Sequence, residues 1–272
     1  MNLEKYQQYS RIARGLEKAD LVLKDARIVN VFTEEIIRGD IAIQDGIIAG
    51  IGSFHGKEER DLAGRYVCPG FIDSHLHLES TLVTPAELVT AASRHGTTTF
   101  IVDPHESANV SGLAGIDYIL DQTEDVKANV YVMMPSCVPA TAIDDNGCTL
   151  TAEDMVPYLH NSRILGLGEV MDSISVVQGD KTMHDKLELF EGRIRDGHAP
   201  FLVEGDLQAY AMAGIATDHE CSFFDYAMRE RRNGLTILIR EGSAARNLEA
   251  LVGGLVQRKM NGEGFCFCTD DK

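Results

Sequence analysis

Long apolar runs are missing from this chain: none approaches the roughly 18 residues that a membrane-spanning helix needs. Residues 1–20, MNLEKYQQYSRIARGLEKAD, lack the apolar core of a signal peptide and read as a polar helix, so a cytoplasmic location is expected. Basic residues are also scarce. Lys and Arg number 25 against 42 Asp and Glu, a formal net charge of −17. A surface of that sign repels phosphate backbones and excludes nucleic-acid binding through a basic patch. A small neutral or cationic ligand remains compatible. The six cysteines include no CxxC pair, and several sit in apolar strands, where a reduced cysteine behaves as a small hydrophobe. No disulfide framework is expected. There is no P-loop and no GxSxG; GIGSFHG misses the dinucleotide spacing by one residue, and GLGEV lacks the third glycine.

What the chain does have is ordinary globular composition, 44% hydrophobic and 25% charged over 272 residues, enough for one large α/β domain with a small appendage. ADLVLKDARIVNVF and DIAIQDGIIAGIG predict short strands with Asp45-Gly46 as a hairpin turn. From Arg65 onward strands alternate with helices. YVCPGFIDSHLHL, GTTTFIVD, NVYVMMPS, RILGLGEV, GRIRDGHA, GIATDHE, LTILIRE and GFCFCTD make eight apolar runs. Eight such units predict a parallel (β/α)8 barrel of the TIM type, with an open doubly wound sheet as the alternative. TPAE predicts a helix capped by Thr84 with Glu87 closing a capping box, and TAED repeats the pattern. Asp206 to Gly214 frames a further helix, and Ser243 to about Lys259 reads as the clearest amphipathic helix of the chain.

In GFIDSHLHLES, strand alternation puts Asp73, His75, His77 and Glu79 on one face and Ile72, Leu76 and Leu78 on the other. Other ionisable residues also fall where strands end: Asp103, His105 and Glu106; Glu169; His198; His219; Arg240 and Glu241; Asp270. In a barrel those ends share one rim, which is where chemistry sits. Imidazoles and carboxylates gathered there are the donors a divalent Zn²⁺, Fe²⁺ or Mn²⁺ requires, and two metals about 3.5–4 Å apart could share a carboxylate. His55, His160 and His184 read as solvated, His95 as a helix end, and Cys266 and Cys268 as interior fillers.

CPGFIDSHLHLES resembles the strand-one signature of the amidohydrolase superfamily of metal-dependent hydrolases. DPHESANV, SCVPA, GLGEVMD, DGHAP, AGIATDHE, IREGSAARN and CTDDK, in that order, resemble the bacterial adenine deaminases. The resemblance runs from about Ala19 to the last residue. It implies two divalent ions, usually manganese or iron, with His75, His77 and Asp270 holding one, His198 and His219 the other, and Glu169 bridging. It also implies hydrolysis of adenine to hypoxanthine and ammonia by metal-activated water, with Asp270, Glu169 and His219 as catalytic residues. Glu106, Arg240, Glu241 and Ser243 are candidates for the purine edge; Asp103 and His105 are candidates for orienting ligands. Expected partners are adenine and water, with self-association into a homo-oligomer allowed. The family's chains run past the strand-eight aspartate into a final helix, returning β-layer strands and a C-terminal domain. By that comparison residues 1–65 are part of a composite β-sandwich, and 66–272 a barrel without its last helix. The alternatives are another amidohydrolase activity, such as cyclic-amide opening or deamination of a different base, or an inactive metal-binding fragment.

Overall fold

In the first part of the chain the period-two pattern becomes a mixed sheet, antiparallel from the first strand through the third and parallel where the fourth and fifth join the first. The computed structural model describes residues 1–141 and 143–272. Contacts divide it into two units, Met1–Pro69 and Gly70–Lys272. In the first unit, helix α1 (Leu3–Ala13) is capped by the Asn2 side chain, which accepts from the Lys5 N–H. Strands β1 (Ala19–Asn30), β2 (Glu35–Gln44), β3 (Ile47–Gly52), β4 (Gly56–Asp61) and β5 (Tyr66–Val67) follow. Their order is β3-β2-β1-β4, with β5 also on β1. Asp45 and Gly46, at φ 50° and 74°, form the expected hairpin turn between β2 and β3. The charged strand β4, GKEERD, has no period-two signal and was not expected. Ile12, Ala19, Val22, Ala42 and Phe54 form one small core.

The second unit is α/β throughout. Strands β6 (Phe71–Leu76), β7 (Thr97–Val102), β8 (Asn129–Met134), β9 (Ile164–Val170) and β10 (Ile194–Gly197) form a parallel five-stranded sheet. Strands β11 (Thr217–Asp218), β12 (Thr236–Arg240) and β13 (Phe265–Cys268) form a parallel three-stranded one. Each of the eight predicted runs holds one of these strands, and the first also holds β5 of the preceding sheet. The sheets also touch edge to edge. The Ala216 N–H donates to the Arg195 carbonyl at 2.9 Å beside β10 and β11. Next to β13 and β6, the Asp270 N–H donates to the His75 carbonyl at 3.0 Å, and Leu76 and Asp270 form a parallel bridge.

The intervening helices are α2 (Pro85–Ser93), α3 (His105–Ser111), α4 (Leu113–Gln122), α5 (Ala152–Met155), α6 (Ser173–Gln178), α7 (Lys181–Leu189), α8 (Glu204–Met212), α9 (Phe224–Arg232) and α10 (Leu248–Arg258). The main core is apolar side chains between strands and helices, including Phe100, Ile116, Met134, Leu167 and Phe190. Among the described residues no helix is long and apolar enough to cross a membrane.

Three local expectations need correction. Thr84 does precede α2, but its side chain makes no cap hydrogen bond, so the box with Glu87 does not form; the Thr151–Asp154 box does. The helix expected from Ser243 begins at Leu248. Residues before it turn back instead, with Gly242 N–H donating to the Ala245 carbonyl and Asn247 N–H to the Arg240 carbonyl. Of the pair Cys266 and Cys268, only Cys268 is buried.

In the first unit the buried Asp40 carboxylate accepts from the Asp25 N–H at 3.1 Å and the Phe54 N–H at 3.2 Å, and pairs with Lys24. Burial works against its charge, yet Lys24 and the two N–H groups hold its pKa below the usual 3.8. A depressed native pKa gives stability that is present above the unfolded value and lost as pH falls through the native one. Asp40→Asn should therefore cost about 2 kcal/mol at neutral pH. Urea melts should show that deficit shrinking below pH 3.8.

Candidate metal centre

The C-terminal ends of the parallel strands bring together His75, His77, Glu169, His198, His219 and Asp270. All are buried except His198, which is half-buried. Two hydrogen bonds set the ring tautomers of the first pair. His77 Nδ1 lies 2.8 Å from the Asp103 carbonyl, and His75 Nδ1 lies 2.7 Å from Asp196 Oδ2. Carbonyls and carboxylates only accept, so both Nδ1 atoms carry hydrogen. Each Nε2 of the neutral rings then presents a lone pair, and these two atoms face each other at 3.2 Å.

Carboxylates close the other side. Glu169 Oε1 is 3.4 Å from His77 Nε2 and 3.1 Å from His105 Nδ1. Its Oε2 is 2.8 Å from His198 Nδ1 and 3.3 Å from His219 Nε2. The two oxygens of one carboxylate thus address two separate sets of imidazoles. Asp270 Oδ1 lies 3.2 Å from His77 Nε2 and 3.7 Å from His75 Nε2.

The electrostatics agree with a site built for positive charge. Burial alone pulls His75 down, but the Asp196 carboxylate beside it raises its pKa to about 9. His77 is likewise driven up against burial, chiefly by Asp270 and Glu169. Glu169 and Asp270 are held below the usual carboxylate range despite desolvation, by the surrounding imidazoles. Replacing imidazolium protons with metal ions would meet the same demand. The donors fit that substitution: Glu169 has two imidazole sets to bridge, and His105 Nδ1, Asp103 Oδ1 and His219 Nδ1 are buried without hydrogen-bond partners.

Other strands supply the supports. The Glu169 N–H donates to Asp103 Oδ2 at 2.8 Å. That approach requires glycine at 168, since a Cβ there would stand 2.3 Å from the same oxygen. Asp196 Oδ1 accepts from the Gly197 N–H and the Thr217 hydroxyl while its other oxygen holds His75. Asp218 ties two ligand-bearing ends together, accepting from the Ala199 N–H at 2.6 Å and the Cys221 N–H at 3.0 Å.

Not every expected residue joins. The alternation of the first strand ends at Leu76, and Glu79 sits in a short 3-10 turn, where Oε1 accepts from the Ser107 N–H. Arg240 is buried, and its Nη1 donates to Asp270 Oδ2 at 2.9 Å and to Glu220. Glu106, Glu241 and Ser243 are exposed and make no side-chain hydrogen bond or ion pair with the cluster among the described residues. His55 is exposed as expected, whereas His184 is partly buried and hydrogen-bonded to the Val176 carbonyl. Sequence reasoning did not pick out Asp196, Asp218 or Glu220. Asp196 had a signal, because it precedes His198 by two positions, the same spacing as His75 and His77.

The model of the Amidohydrolase family matches residues 66–252. The chain is 56% identical over 272 residues to a protein named adenine deaminase from Desulfitobacterium hafniense, covering 100% of this chain and 48% of the other. A protein of the same name from Clostridium acetobutylicum is 48% identical over 262 residues, covering 96% and 46%. The chain spans about half the length of the curated relatives it matches. Among solved structures, a beta-aspartyl dipeptidase from Fervidobacterium islandicum superposes with TM-score 0.59 at 13% identity, covering 93% of this chain and 73% of that one. A dihydroorotase gives 0.57 at 16%, with the same coverage. At such identities these two speak to the fold alone.

The tight fit of Gly168 against Asp103 gives a test of the supports. Gly168→Ala should displace the Asp103 carboxylate from the Glu169 N–H and weaken metal uptake roughly 10–100-fold. Chelator competition measures the loss, and an unchanged far-ultraviolet circular dichroism spectrum separates it from unfolding.

Proposed function

The chain belongs to the amidohydrolase family, and from that premise we propose that its histidine cluster is a two-metal centre for the hydrolytic deamination of adenine to hypoxanthine and ammonia. The observation that carries this reading is the facing pair of imidazole lone pairs closed by Glu169 and Asp270. It occurs in a chain 56% identical to a protein named adenine deaminase. The edge-to-edge bonds of the two parallel sheets support a further reading, that all eight strands form one (β/α)8 barrel with the cluster at its mouth.

In this proposal His75, His77 and Asp270 would hold one divalent ion, His198 and His219 the other, and Glu169 both. Mn²⁺ or Fe²⁺ suits this mixed oxygen and nitrogen set, with Zn²⁺ as competitor. When bound, such ions supply a Lewis acid that lowers the pKa of water from 15.7 toward about 7. Asp270 takes a proton from the attacking water and returns it to the amine that leaves C6. One oxygen–carbon bond forms, one carbon–nitrogen bond breaks, and ammonia departs. Glu169 and His219 complete the catalytic set as neighbours of the reacting water.

Arg240 keeps one Asp270 oxygen engaged, so the other faces His75 and His77. Its Nε has no partner among the described residues and is proposed as a donor for a purine nitrogen. Glu106, Glu241 and Ser243, all exposed, are proposed as the remaining contacts to the purine edge. Six free thiols suit a reducing, cytoplasmic setting.

The test is to load the chain with Mn²⁺ or Fe²⁺, supply adenine, and follow ammonia and hypoxanthine. The two products should appear one to one. Asp270→Asn should lower turnover by at least 100-fold while retaining bound metal, since its general acid–base contribution is about 10²–10⁴. A metal-loaded chain that neither binds nor converts adenine would refute the reading, and near-normal turnover in the Asn variant would remove the proton role of Asp270.

A further inference from the structure

A second group of donors lies outside the histidine cluster. Asp218 ends β11, Cys221 follows three residues later, and Glu230 projects from α9. Their ligand-type atoms all lie within 4.8 Å of one another. Burial is complete, at 0% exposure for Asp218 and Glu230 and 1% for Cys221.

The hydrogen bonds of this group do not account for it. Asp218 spends one lone pair of each oxygen on the N–H groups of Ala199 and Cys221. Both oxygens of Glu230 are buried and receive no backbone N–H or cationic donor among the described residues; the groups facing them are the Asp218 carboxylate and the Cys221 thiol. The neighbouring guanidinium groups are committed elsewhere: Arg240 to Glu220 and Asp270, Arg229 stacked 4.9 Å over the Tyr226 ring. Burial, and then the nearby Asp218 charge, push the Glu230 carboxyl up to about 10. Two bare anions in that position would be costly, so Glu230 either keeps its proton or gives it up to a cation held between the two carboxylates.

A proton shared by the two carboxylates, with the Cys221 thiol donating to Glu230, would offset part of that cost, but it leaves three ligand-type side chains converging on one fully buried point with no backbone N–H or cationic donor on either Glu230 oxygen. We infer that Asp218, Cys221 and Glu230 form a separate binding site for one zinc-type divalent ion. One oxygen of Asp218, the sulfur of Cys221 and the two free oxygens of Glu230 offer four donor atoms, the number a closed zinc site uses. The thiolate discriminates. It favours zinc-like ions over the harder Mg²⁺, Ca²⁺ and Mn²⁺. The ion would clamp the two-residue strand β11 to α9, one residue from His219. It is structural in kind, and it does not depend on the adenine reading.

Sulfur gives the site a signature, because the histidine cluster contains no thiol. The chain loaded with Co²⁺ should show a thiolate-to-cobalt charge-transfer band in the near ultraviolet. Cys221→Ser should abolish the band and remove one equivalent of bound metal, leaving the rest. Glu230→Gln, which keeps the size and removes the charge, should weaken that equivalent by at least 10-fold. Zn²⁺ should raise the melting temperature of the parent more than that of either variant. A parent without the band, or a Cys221→Ser protein with unchanged band and metal content, would overturn the site and leave a proton-sharing acid pair. These readouts need no turnover, so failure of the deaminase reading would leave them intact.

Discussion

Two imidazole nitrogens facing each other with their lone pairs outward are the constraint from which the rest of the centre follows. Asp196 and the Asp103 carbonyl hold the hydrogen of each ring on Nδ1, which turns both Nε2 atoms inward. At 3.2 Å that arrangement is repulsive unless positive charge stands near it. Glu169 and Asp270 raise the demand further, since both are buried carboxylates held in their charged form. Protons or divalent cations can satisfy the demand, on both the near oxygen of Glu169 and the far one that faces His198 and His219.

The supports matter as much as the donors. Asp103, Asp196 and Asp218 each tie the end of one strand to that of another, through a backbone N–H, a ring or a hydroxyl. At the histidine cluster each sets one carboxylate oxygen behind a ligand-bearing strand end. Precision at the centre is thus inherited from hydrogen bonds that run along the rim of the sheets. Arg240 plays the comparable part for Asp270, holding one oxygen while the other faces the imidazoles.

Much of this was readable from the chain. Eight apolar runs located eight strands, and ionisable residues at their ends located the cluster, because strand register leaves little freedom once one face is apolar. Other features depended on geometry that pattern does not carry. Glu79 keeps the period of two but lies past the end of β6, in a 3-10 turn. GSAARN has helical composition, yet the bonds from Gly242 and Asn247 back to their neighbours delay α10 until Leu248. Thr84 has the right residue type for a cap, and no cap bond forms. Asp218 and Glu220 flank His219 in sequence, but which way each side chain turns depends on partners contributed by other strands.

Gly168 carries a consequence for how this chain can change over time. A Cβ at this position would collide with the Asp103 carboxylate at 2.3 Å. Positions 103 and 168 are therefore one unit of inheritance: a larger residue at 168 becomes tolerable only after the aspartate has already been traded for something shorter, and by then the grip on Glu169 is gone. Either order of substitution passes through an intermediate with a loosened Glu169, so drift at this pair is opposed from both directions.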